Sequence, residues 1–107
     1  MNVLMLGANG MMGPHVVKAL EGEHTLRVTD INDLEDTPHE YFKLDISSLD
    51  KVVAAAEGMD AIINLAVLRP DRQLAFDVNA RGCYNVMVAA LQHGIRRVIN
   101  TGPEQSI

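Results

Sequence analysis

The chain has 107 residues, with 9 Lys and Arg against 14 Asp and Glu, for a formal net charge of −5. That length holds one domain (1–107) and excludes a two-domain enzyme, and the acidic balance argues against a nucleic-acid partner. An apolar fraction of 48% with 21% charge excludes wholesale disorder, no apolar run approaches a membrane span, and the N-terminus lacks the basic region of a signal peptide.

Asn2 to Leu6 is short, almost wholly apolar, and stops at Gly7. This predicts a strand buried on both faces, as in a parallel sheet. From Met12 the period changes, and Met12, Val16, Ala19 and Leu20 recur at helical spacing, with Gly22 as the stop. Thr25 to Thr29 alternates and predicts a second strand. Asn32 to Glu40 is polar, contains Pro38, and reads as loop, and Tyr41 to Leu44 is a short third strand. Ser47 with Asp50 three residues on resembles a capping box for a helix through Val52, Val53 and Ala56 to Gly58. Asp60 to Leu65 holds a fourth strand. Pro70-Asp71 opens a long helix to Gly94 with the stripe Leu74, Val78, Gly82, Val86 and Ala89, and Val98-Ile99 begins a fifth strand. Gly82 in a helix costs about 1 kcal/mol relative to Ala, so close backbone packing is the expected reason for it. Strands alternating with helices predict an α/β fold, a doubly wound parallel sheet of Rossmann type, with about five strands and helices on both faces.

Gly7-Ala8-Asn9-Gly10-Met11-Met12-Gly13 lies between the first strand and the first helix. Gly7 permits a tight turn, Gly10 lets the backbone approach a pyrophosphate, and Gly13 lets the helix pack closely. Asn9 belongs to the same binding loop, and the N–H groups of Met11 and Met12 face the anion. Pro14 is tolerated in the first turn, where no intrahelical N–H bond is lost. The alternative is a glycine-rich turn that binds nothing. Asp30 ends the second strand about twenty residues on, where an acid can bond the adenine ribose hydroxyls and repel a 2′-phosphate. Ile31 and Asn32 follow, with no Lys or Arg directly after the acid, which favours NAD over NADP. The alternative for Asp30 is a solvated turn aspartate.

These residues resemble the extended short-chain dehydrogenases/reductases, the NAD-dependent epimerase and dehydratase group, in its N-terminal cofactor-binding part. The spacing Gly-x-x-Gly-x-x-Gly is similar to the family's loop. Leu44-Asp45-Ile46 resembles its third-strand motif, in which Asp45 would meet the adenine amino group with the Ile46 N–H nearby. Asp60 to Ala66 resembles the fourth-strand motif, which would lay Leu65, Ala66 and Val67 along the cofactor. The family's usual His is replaced by Asn64. Val78-Asn79 with Gly82 and Asn85 resembles the long-helix motif, which would put Asn79 near the nicotinamide end. Each motif has a plainer alternative. Asp45 can start the turn before the next helix, Asn79 can bond neighbouring backbone, and Leu65-Ala66 can be sheet core.

The resemblance implies a catalytic Ser or Thr followed by a Tyr-x-x-x-Lys pair. Neither Tyr41 nor Tyr84 has Lys four residues on; both are expected to pack on sheet or helix. The pair would lie beyond Ile107, and the C-terminal substrate lobe is expected to be absent. Arg97-Val98-Ile99 resembles the strand leading to the hydroxyl, but that position falls on Gly102-Pro103, leaving Thr101 as the candidate catalytic residue. Arg69 and Arg72 flank Pro70 above the expected crevice and could meet a substrate phosphate; a solvated loop is the plainer reading. The four histidines show no metal-ligand spacing, and His93 would favour a helix dipole. Cys83, the single cysteine, cannot make an intrachain disulfide, which favours a reducing, cytoplasmic setting.

The resemblance therefore implies the NAD-binding part of an oxidoreductase or isomerase acting on a nucleotide-sugar, inactive as an isolated chain. The alternative is a catalytically silent dinucleotide sensor or interaction module resembling the NmrA regulators. In the family the long helix often packs in a homodimer. Asp77, Arg81, Asn85 and Gln92 are expected on its outer face.

Overall fold

The computed structural model describes residues 1–8, 13–31, 37–65 and 81–100. The described elements are β1 (Asn2–Leu6), α1 (Gly13–Leu20), β2 (Thr25–Asp30), β3 (Glu40–Lys43), α2 (Leu49–Ala55), β4 (Ala61–Asn64), α3 (Gly82–His93) and β5 (Arg97–Asn100). The strands form one sheet in the order β3-β2-β1-β4-β5, with every pairing parallel. This is the expected doubly wound arrangement. The chain winds outward from β1 to β3, then returns to β4 on the other side. The direction of winding reverses between β1 and β4, where such sheets open a crevice at the carboxyl ends of the strands.

The apolar run of β1 follows from its central place. Leu4 and Leu6 enter one core with Val52 and Ala55 of α2, Ala56 at its C-cap, and Val86, Ala89 and Ala90 of α3. Val3 and Met5 enter the opposite core with Leu26 and Val28, against Val16, Val17 and Leu20 of α1. Successive side chains point to opposite faces, so a strand covered on both sides must be apolar at every position. Leu4, Met5 and Leu6 are fully buried, each contributing roughly 1.5–3 kcal/mol of burial.

Several local expectations are corrected. The packed face of α1 uses Gly13, Val16, Val17 and Leu20, whereas Ala19 is exposed. Gly22 lies just beyond α1 but is not among the left-handed glycines; the chain turns through Glu23 and His24 N–H bonds to the Leu20 carbonyl. The third strand runs one residue earlier, although the Leu44 N–H still bonds the Asp30 carbonyl at 2.8 Å. The capping box does not form. Ser48 occupies the N-cap of α2 without a side-chain cap bond, and Ser47 instead donates its N–H and hydroxyl to Asp45 Oδ1 at 2.9 and 2.7 Å. Asp45 captures Ser47 in a local turn, an interaction that competes with capping. Residues 66–80 lie outside the described residues, and with them Leu74, Val78 and the expected start of the long helix at Pro70.

Two polar side chains lock the helices in place. The Arg27 guanidinium donates to the Ala55 and Glu57 carbonyls at the end of α2 and to Glu40 of β3. It also lies over the Phe42 ring. His93 Nε2 donates to the Val53 carbonyl at 2.9 Å. His93 therefore ties α3 to α2, a more specific role than a dipole contact. No described helix is long and apolar enough to cross a membrane.

Candidate cofactor site at the carboxyl rim of the sheet

The strand ends form a connected rim. Leu6 runs into Gly7, whose φ of 78° is the left-handed conformation that glycine accepts without steric cost. The Ala8 N–H then bonds the Thr29 carbonyl at 2.9 Å, tying the turn to the end of β2. Thr29 is fully buried and its hydroxyl donates to the Met5 carbonyl at 3.0 Å. Gly13 is set directly against this turn, and a Cβ on it would collide with the Ala8 carbonyl. The close helix approach expected of the third glycine is therefore realised. Asn9, Gly10, Met11 and Met12, the middle of the loop, lie outside the described residues.

Asp30 is buried at 7% exposure, so the alternative of a solvated turn aspartate does not hold. Its neighbour Thr29 is the register partner of Leu6, which puts the carboxylate beside the glycine turn. Lys43 is the register partner of Asp30 across β2 and β3. A search for a cation along the sequence from Asp30 misses it, because the pairing brings it from thirteen residues away.

The Leu44 N–H bond to Asp30 carries the rim on to Asp45, whose carboxylate is exposed and held by Ser47. The turn role weighed for Asp45 is thus real, and it leaves the carboxyl group at the rim. Ile46 points the other way, buried against α3. On the far side of β1, the Leu65 N–H bonds the Leu6 carbonyl at 2.8 Å, which joins Leu65 to the crevice. Ala66, Val67, Arg69, Arg72, Asn79 and Thr101 lie outside the described residues.

The sequence reading missed a set of buried amides. Asn64, 1% exposed at the end of β4, donates to Asn100 Oδ1 at 3.0 Å and to Cys83 Sγ at 3.9 Å. Burial pushes the Cys83 thiol above its ordinary value, so it stays protonated at neutral pH. Asn85 is 2% exposed and donates to the Ile46 carbonyl at 2.9 Å, not on the outer face as expected. The signal was its spacing: Gly82, Asn85, Val86, Ala89 and Ala90 share one buried stripe of α3. The outer face instead carries Tyr84, Met87 and Leu91, so Tyr84 is not packed, whereas Tyr41 does pack on the α1 side of the sheet. Among the described residues no His, Cys, Asp and Glu group could hold a metal.

Comparison with known proteins agrees with this geometry. The model of the NAD dependent epimerase/dehydratase family matches residues 3–105. The chain is 35% identical over 101 residues to L-arabinose 1-dehydrogenase (NAD(P)(+)) of Haloferax volcanii, covering 91% of this chain and 39% of that protein. Uronate dehydrogenase from Agrobacterium tumefaciens superposes with a TM-score of 0.83 at 27% identity, covering 94% of this chain and 40% of that one. UDP-glucose 4-epimerase of Thermus thermophilus, solved in complex with NAD, gives 0.81 at 25% identity, covering 92% and 36%. The chain spans about two-fifths of the length of these relatives. With the family model matched from the first strand to beyond the fifth, the chain belongs to the NAD dependent epimerase/dehydratase family.

Proposed function

We propose that the chain binds NAD across the carboxyl rim, as the cofactor-binding part of an extended short-chain dehydrogenase/reductase-like protein acting on a nucleotide-sugar. One observation carries this reading: the left-handed Gly7 turn, with Gly13 seated against Ala8, stands beside the buried carboxylate of Asp30. A side chain on Gly13 would fill the space that brings helix and turn together, so the residues present fit a pyrophosphate cradle. Asp30 would accept the adenine ribose hydroxyls, and Asp45 would accept the adenine amino group. When bound, NAD supplies a hydride donor or acceptor; the chain's own residues hold and orient it.

Asp30 favours NAD over NADP by repelling a 2′-phosphate, and Lys43 opposes that preference. Calorimetry with both cofactors tests the reading. Asp30→Asn is expected to weaken NAD roughly tenfold, the worth of a hydrogen bond to a charged group, and to raise the NADP/NAD affinity ratio. Lys43→Gln should lower that ratio. Failure of the unaltered protein to bind NAD would overturn the reading, and an unchanged ratio in Asp30→Asn would overturn the assigned preference.

In the full-length protein Thr101 would serve as the catalytic hydroxyl beside a Tyr-x-x-x-Lys pair following Ile107. The 107-residue chain alone is expected to show no turnover. Pro103 at the family's hydroxyl position favours a second reading, a catalytically silent dinucleotide sensor. A Tyr-x-x-x-Lys segment in the native sequence after Ile107 supports the enzyme, and its absence supports the sensor. A homodimer formed through α3 would cover Tyr84, Met87 and Leu91.

A further inference from the structure

We infer that Asn85 is a positioning residue for the adenine end of the site, acting through Ile46 on the carboxylate of Asp45; this rests on the NAD reading above. The segment after β3 is held at two points. On one side the Leu44 N–H bonds the Asp30 carbonyl of β2 at 2.8 Å. On the other, Asn85 Nδ2 donates to the Ile46 carbonyl at 2.9 Å. Asp45 lies between these two anchors, exposed, with one carboxylate oxygen already fixed by Ser47.

The first turn of α3 is shaped for the same contact. A Cβ on Gly82 would come within 2.9 Å of Ile46 Cγ2 and 3.2 Å of its Cδ1. Gly82 and Asn85 are three residues apart, so they share a helix face, one making room for the Ile46 side chain and the other binding its carbonyl. Docking of α3 does not need the amide for burial, because Val86, Ala89 and Ala90 already fill the core below it. A buried amide adds direction: it is satisfied only when the Ile46 peptide has one orientation, and that orientation sets where Asp45 stands.

An NAD analogue carrying unsubstituted purine in place of adenine tests this, because it replaces the amino donor with hydrogen and leaves the rest of NAD unchanged. The unaltered protein is expected to prefer NAD over this analogue by at least about tenfold, the worth of one hydrogen bond to a carboxylate. Asn85→Leu keeps the branched shape and removes the donor, and should bring the two affinities within about twofold. A merely structural role would weaken both ligands equally and leave the ratio intact. Gly82→Ala displaces Ile46 without touching the amide; it should narrow the ratio partway, and it carries the test where Asn85→Leu does not fold. An unchanged ratio in the folded variant overturns the inference and leaves NAD binding standing, as does an unaltered protein that binds both dinucleotides equally. Loss of NAD binding in the unaltered protein overturns both.

Discussion

The two flanks of the rim are built differently. Over β1, β2 and β3 the strand ends are joined by main-chain bonds, Ala8 to Thr29 and Leu44 to Asp30. Over β4, β5 and α3 side chains are added to the main-chain pairing, with Asn64 bonding Asn100 and Cys83, and Asn100 Nδ2 reaching Met87 Sδ at 3.9 Å. A main-chain bond survives most substitutions, so the first flank depends chiefly on where glycine leaves room. A side-chain network depends on each member, because a buried amide left without its partner is costly.

That contrast can be broken by substitution. The largest effect is expected for Gly13→Ala on the main-chain flank. The new Cβ meets the Ala8 backbone, which cannot swing aside as a flexible side chain can. Overpacking of this kind costs about 1–3 kcal/mol, read as a lower urea midpoint at unchanged slope. Next comes Asn64→Ala on the other flank, which removes a fully buried amide and leaves the Asn100 Oδ1 acceptor without its donor. About 1–2 kcal/mol is expected by the same measurement. If Asn64→Ala were silent while Gly13→Ala unfolded the protein, the side-chain flank would be a surface ornament rather than a fixed wall of the site.

The smallest effect concerns Cys83. Burial raises its pKa, so folding favours the protonated thiol. The resulting stabilisation is complete below the unfolded thiol's pKa and is lost as pH rises through the higher folded value. Reaction with a thiol reagent at pH 8 should be slower in the folded protein than after denaturation. Cys83→Ala should flatten the alkaline decline in stability. Equal reaction rates in the two states would show that the Asn64 side of the rim is open.

Much of this was legible in the chain itself. The unbroken apolar run of Asn2 to Leu6 announced a strand covered on both faces, and the glycine spacing announced the turn and the close helix. Asp30 was found because it ends the second strand, about twenty residues beyond the loop, where an acid can meet the ribose. Capping and side-chain roles were less legible. Ser47 has the spacing of a cap, but Asp45 competes for the same hydroxyl, and only the bond geometry decides between them. Asn85 looks like an outward polar residue until Ile46 arrives from thirty-nine positions earlier. Lys43 joins Asp30 only through strand register.

The sequence by itself determined the alternation of strand and helix, the glycine turn and the acid that ends the second strand. These are set by neighbours within a few residues, through backbone conformation and hydrophobic period. The tertiary structure alone decided which amides are buried and which cation stands opposite Asp30. Those depend on side chains that meet across the sheet, and no local pattern encodes the distance between them.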